Sequence, residues 1–135
     1  ERLMVVGNFM NISKIKPSEG YKWFMEFACD SYEWVMNQNV LDMVFFVTGG
    51  DTMRRPYVSS SNYILKMSNY KKGDWCDVMD GLYWSFIDNK RDFFKKNPRM
   101  SMMVNLCDKM PKEKRERLYK AKDNFIKNHT TKEYL

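Results

Sequence analysis

Apolar residues along this chain recur at helical spacing, and the pattern breaks only where Pro, Gly or Ser cluster. In the first twelve residues Leu3, Val6, Phe9 and Met10 fall at intervals that share one helical face, which predicts a helix. Lys16-Pro17-Ser18-Glu19 then reads as a break followed by a new helix start. Over residues 18–36 the apolar positions Trp23, Phe24, Phe27, Ala28, Trp34 and Val35 cover more than one face, so one helix buried in the middle of the fold is predicted. Over 37–61 the periodicity fails: an apolar run (40–47), the pair Gly49-Gly50, and then Arg54-Arg55-Pro56-Tyr57. A long irregular segment is expected there, of the kind that carries function when rigid elements hold it. Ser59, Ser60 and Ser61 offer an N-cap for a helix ending at Met67, and a polar loop follows over 68–74. Three more helices are predicted: 78–97 with an interruption inside it, 100–109, and a charged amphipathic one over 112–128, with Pro98 and Pro111 as punctuation. No period-2 strand, repeat or low-complexity tract competes, so the predicted fold class is all-α.

Composition supports a packed chain. Aromatic residues make up 16%, with four Trp, eight Tyr and nine Phe, well above what a disordered tail carries. At 135 residues the chain is one domain or part of one. Its net charge of +6 is uneven: residues 1–60 hold 6 Lys/Arg against 7 Asp/Glu, and residues 61–135 hold 17 against 10. The second part is a candidate surface for a polyanion, or else a set of solvated helix faces. Cys29, Cys76 and Cys107 are widely spaced and form no C-x-x-C pair, which argues against a disulfide framework or a zinc site and for a reducing compartment. No apolar run approaches the roughly 20 residues of a membrane span, and the opening residues show no signal-peptide pattern. The expectation is a soluble, cytoplasmic protein. The opening Glu1-Arg2-Leu3-Met4-Val5-Val6 reads as the middle of an apolar helix, without initiator Met or N-cap, so a piece of a longer chain is expected.

Four stretches in order, RLMVVGNF, YKWFMEFACDSYEWVMNQNV, GGDTMRRPYVSSSNYILKMSNY and LYWSFIDNKRDFFKKNPRM, cover most of the chain. Together they resemble the C-terminal, flavin-binding helical domain of bacterial photolyase/cryptochrome proteins, in the branch that includes the iron–sulfur (6-4) photolyases. The resemblance implies that residues 1–135 are the C-terminal part of an FAD-binding helical domain, with an antenna domain and the start of the flavin domain upstream. It implies light-driven, FAD-dependent repair of UV photoproducts in DNA, in which the excited reduced flavin gives an electron to a flipped-out lesion. Two alternatives stay open: a cryptochrome-like flavin photoreceptor without repair activity, and a basic helical module that binds nucleic acid with no cofactor. The piece by itself is expected to be inactive and to bind FAD poorly, because part of the pocket is missing. An exposed half-pocket lined with Trp and Met is expected to favour self-association.

The resemblance also implies roles residue by residue. Cys29-Asp30-Ser31-Tyr32-Glu33-Trp34-Val35-Met36 corresponds to the stretch that runs along the isoalloxazine, with Asp30 and Tyr32 as flavin-site candidates. A lone carboxylate on an apolar helix is costly to bury, so Asp30 needs a partner such as Arg2, unless it sits exposed at the helix edge. Met36 falls where relatives place a polar or acidic residue near the reactive flavin nitrogen, and a thioether cannot donate a proton there. Asn39 follows as an amide donor, preceded by Gln38 where relatives carry proline. Trp23 matches the inner aromatic of the electron-transfer chain, and Phe24, often Tyr in relatives, has no accessible oxidised state. For both the plain alternative is core packing. Tyr57 is implied to meet the flipped lesion, with Arg54 and Arg55 on phosphates, and the alternative is a surface turn with two solvated arginines. Asn62, Lys66, Lys71 and Lys72 extend the candidate DNA contact. Cluster-bearing relatives carry cysteines at the positions of Lys71 and Asp74, so no iron–sulfur cluster and no other metal is expected. His129, in the polar terminus, is expected to be exposed and without a catalytic role. Asp30 and Tyr57 are expected to be opposite walls of one cavity.

Overall fold

The computed structural model describes residues 3–29, 31–49, 57–96 and 98–130, and among them all regular structure is helical. Arg2, Asp30, Arg54 and Arg55 lie outside the described residues. The helices gather into two compact units, Glu1–Val58 and Ser59–Leu135.

In the first unit a π-helical segment, Leu3–Gly7, runs straight into α1 (Asn8–Ile12). α1 closes with paired backbone bonds, Ile15 N–H to the Met10 carbonyl and Lys14 N–H to the Asn11 carbonyl, both 3.0 Å. This reversal puts Lys14 at φ 60, a left-handed position that glycine usually fills. α2 (Pro17–Phe27) opens with Pro17, whose missing N–H loses nothing in a first turn. The single helix predicted over 18–36 is split. α2 stops at Ala28, which is extended, and α3 (Glu33–Met36) starts after Tyr32, also extended. A local bond accounts for the stop: the Ser31 hydroxyl donates to the Phe24 carbonyl at 2.6 Å, a carbonyl near the helix end that the backbone N–H of Ala28 shares. Burial on all sides is therefore not observed. Phe24 is inside, but Phe27, Tyr32 and Trp34 are exposed.

The segment expected to be irregular over 37–61 is helical for its first eight residues, a second π-helical run, Asn37–Val44. Its wide turn shows in the Phe45 N–H bond to the Val40 carbonyl, 3.1 Å across five residues. π-Helix is a costly backbone state, and here it turns Val40 and Val44 fully inward. Gly7 sits against this run. A Cβ there would stand 3.0 and 3.2 Å from the two Val44 methyls, so the missing side chain lets the two π-helical segments approach. Met10, Phe24, Met36 and Val40 form the core, with Leu3, Val6, Tyr21, Trp23, Met25 and Phe45 packed around it.

The second unit holds α4 (Ser61–Met67), α5 (Asp74–Asn89), α6 (Arg91–Lys96), α7 (Pro98–Asp108) and α8 (Lys112–His129). The predicted interruption within 78–97 falls at Lys90, between α5 and α6. Pro98 opens α7 rather than ending a helix, again at a position with no donor to lose. Asp74 and Asp77 sit in the first turn of α5, against the positive end of its dipole. α5 and α8 cross at Gly81, where an added methyl would run into the backbone carbonyl of Leu118. Arg91 ties the end of α5 to the end of α7: its Nη1 is 2.7 Å from Asp108 and its Nη2 is 2.6 Å from Asp88. Among the described residues no helix is long and apolar enough to cross a membrane.

Two stability measurements test this packing. Gly81→Ala places its methyl on a carbonyl that cannot rotate away, so a loss of about 2 kcal/mol or more is expected in a urea titration. An unchanged midpoint would disprove the close crossing. Burial, and next the charge of Asp80, push the Tyr83 hydroxyl up to about 12. The unfolded chain ionises this phenol near pH 10, so its contribution is full below about pH 10 and is lost as pH rises toward 12, on the order of 2 kcal/mol. Tyr83→Phe should flatten the decline in stability across that window, measured by thermal melts at stepped pH.

Candidate functional site

In the first unit large aromatic rings are exposed on both sides of the break after α2. Trp23, half-buried, meets Phe24 edge-on at 5.1 Å and stacks on Phe27 at 5.2 Å with 24° between planes. Phe27 is 63% exposed, Tyr32 66% and Trp34 80%. Rings of this size are usually covered, and several exposed on neighbouring elements mark a surface suited to a planar partner. Cys29, also exposed, lies in the turn between α2 and α3. Met36 lies on the core side, buried among Met10, Phe24 and Val40, and Asn39 is half-buried on the second π-helical run. Tyr57 is half-buried at the end of this unit. The expected Arg2–Asp30 ion pair and the cavity between Asp30 and Tyr57 involve positions outside the described residues.

Three buried polar residues of this unit escaped the sequence pattern: Asn8, Asn11 and Asp42. Asn11 Nδ2 donates to the Val44 carbonyl at 2.6 Å and ties α1 to the end of the second π-helical run. Asp42 accepts a hydrogen bond from the Thr48 hydroxyl. The signal was present, since each interrupts an apolar stretch, and a polar group buried in such a place has to find a partner.

The second unit presents the cations. Asn62 and Lys66 are exposed on α4, and Lys71 and Lys72 are exposed in the loop that leads into α5. Trp75 Nε1 donates to the Lys71 carbonyl at 3.1 Å and holds that loop, while the exposed Tyr70 meets the Trp75 ring edge-on at 6.3 Å. Among the described residues no carboxylate lies in ion-pair range of Lys66, Lys71 or Lys72, so their charge faces solvent. A loop with an exposed aromatic ring between lysines suits a polyanion with flat bases. His129 is exposed and stacked on Phe125 at 4.4 Å. No group of three or more His, Cys, Asp or Glu able to hold a metal occurs among the described residues. Burial pushes the Cys107 thiol up, against the opposing pull of Arg115, so it rests as a thiol.

An exposed ring and a core ring answer differently to truncation. Trp34→Ala is expected to leave stability within about 0.5 kcal/mol of the unchanged chain, because most of its ring already lies in water. Phe24→Ala removes a fully buried ring and is expected to cost about 3–5 kcal/mol. Parallel urea titrations read both, and a comparable loss for Trp34 would mean that its ring is structural.

No family model matches the sequence. The chain is 56% identical over 93 residues, 68% of its own length, to an uncharacterised protein (R855) of Acanthamoeba polyphaga mimivirus, and this match covers 76% of that protein. It is 32% identical over 137 aligned residues, 94% of its own length, to a (6-4) photolyase of Agrobacterium fabrum. The chain spans only 27% of that photolyase. The helical fold of the described residues agrees with the second match, and 56% identity over 76% of the mimivirus protein establishes the first. The chain therefore belongs to one family with the mimivirus protein and is related in sequence to the (6-4) photolyase.

Proposed function

We propose that this chain is the flavin- and DNA-contacting helical part of a light-driven enzyme that repairs UV photoproducts in DNA. The observation that carries the reading is the alignment with a (6-4) photolyase along 94% of the chain. FAD, when bound, supplies the photoexcited electron. The exposed rings of Phe27, Tyr32 and Trp34, with the half-buried Trp23 stacked on Phe27, suit a planar, largely apolar ring, which gains by leaving water. Asp30, accepting N–H groups and paired with Arg2, and Asn39, with its amide, would orient the polar edge of that ring. Met36 fits less simply: it lies in the core, and its thioether reaches a ligand only where that core opens. Trp23 is suited to return an electron, since an indole is readily oxidised. Tyr57 would stack on or hydrogen-bond to a base turned out of the duplex, and Arg54, Arg55, Asn62, Lys66, Lys71 and Lys72 would hold phosphates. This reading includes no iron–sulfur cluster: the resemblance puts Lys71 and Asp74 at positions where cluster-bearing relatives would carry thiolate ligands, and neither side chain replaces one.

One observation favours a second reading, a flavin photoreceptor without repair activity. Phe24 is buried edge-on against Trp23, and a phenyl ring interrupts any relay of charge through that position. Illumination with damaged DNA separates the two, because a receptor changes the flavin absorbance and leaves the lesions in place.

The primary test is binding of the chain to UV-irradiated and to intact duplex. A clear preference for irradiated DNA is expected, and equal affinity would remove the repair reading. Lys66→Ala should weaken binding to both duplexes alike and reduce the slope of log affinity against log salt by about 1.

A further inference from the structure

α4 carries Asn62 and Lys66 on its exposed side and is only seven residues long. A helix of that length does not persist unaided. Its C-terminal end is closed from within, by the Ser68 hydroxyl donating to the Ile64 carbonyl at 2.6 Å. Its N-terminal end is closed from outside. Ser60 occupies the cap position, but its side chain makes no cap bond. Instead a carboxylate oxygen of Asp80, from the middle of α5, accepts the backbone N–H of Ser61 at 2.8 Å. Ser61 is 2% exposed, so water is poorly placed to take over that donor. The carboxylate also faces the positive end of the α4 dipole. Asp80 is half-buried on α5 and follows the buried Met79.

We infer that Asp80 is a positioning residue: through the Ser61 backbone it holds α4 so that Asn62 and Lys66 reach the phosphates of a bound nucleic acid. The inference rests on the nucleic-acid reading above. Its sign sets it apart from plain electrostatics. Asp80 is an acid in a basic unit, so its removal should by charge alone strengthen binding to a polyanion. Positioning demands the opposite.

The test compares the unchanged chain with Asp80→Ala, Asp80→Asn and Asp80→Glu. Each is measured for affinity to a short duplex over a range of salt, for amide hydrogen exchange across 61–67, and for folding by circular dichroism. Asp80→Ala is expected to exchange faster at Ser61 and to bind about three- to tenfold more weakly, the range set by loss of one helix cap. Asp80→Asn keeps a carbonyl acceptor without the charge and should restore binding to at least the unchanged level. Asp80→Glu keeps the charge with its oxygens displaced and should bind more weakly, which decides the matter should the Ala variant not fold. A folded Asp80→Ala that binds as tightly as the unchanged chain, or an Asn variant that fails to rescue, overturns this inference alone. No duplex binding by the unchanged chain overturns the nucleic-acid reading and this inference together, and unaltered exchange at Ser61 in Asp80→Ala removes the cap itself.

Discussion

Four of the eight α-helices described, α1, α3, α4 and α6, are seven residues or shorter, far below the roughly 12–15 at which a helix begins to persist alone in water. Each therefore exists because something outside it is buried against it or bonded to it. In the first unit that support comes from Phe24 and Val40, from the close approach at Gly7, and from the Asn11 side chain holding the Val44 carbonyl. In the second it comes from the two long helices, α5 and α8, which cross at Gly81 with no side chain between their backbones. α4 is capped by Asp80, and α6 is held through its own Arg91, bonded to Asp88 and Asp108, and its own buried Phe94, whose ring meets Phe86 of α5 edge-on.

The same shortness makes the candidate sites. On one unbroken helix over 18–36, Trp23, Phe27 and Trp34 would lie within about 40° of one face and Tyr32 opposite them. The break at Ala28 sets them on the end of one helix, the turn beyond it and the start of the next, where Phe27, Tyr32 and Trp34 stay open to solvent. Likewise the unregular stretch between α4 and α5 lifts Tyr70, Lys71 and Lys72 away from the packed surface, with Trp75 as their anchor. Exposed rings and unpaired lysines both cost stability or solubility, and both are features that binding rewards. Buried polar groups tell a complementary story. Asn8, Asn11 and Asp42 lie inside the first unit, where an apolar residue would avoid desolvation, and the bonds they make fix the relation of the π-helical run to α1 and to the turn after it.

Much of the fold was legible from local pattern. Helical periodicity, together with Pro17, Pro98 and Pro111, located most helices to within a few residues, because apolar spacing and a missing N–H act over a single turn. The serine cluster before α4 pointed to the right boundary but to the wrong cap, since the acceptor comes from Asp80, nineteen residues away. The split of the second helix was hidden for the same kind of reason. Nothing in the spacing of Trp23 to Val35 reveals that Ser31 will take the Phe24 carbonyl.

By itself the sequence determined the all-helical class, the basic excess after residue 60 and the resemblance to photolyase-type proteins, because composition, spacing and motif order reside in the chain. Only the tertiary structure decided that Trp34 faces water while Met36 faces the core, that 37–44 winds as a π-helix, and that Asn8, Asn11 and Asp42 are inside. Those outcomes depend on which backbones come close enough to exclude a side chain, as at Gly7 and Gly81, and such distances are properties of packed helices that no local pattern encodes.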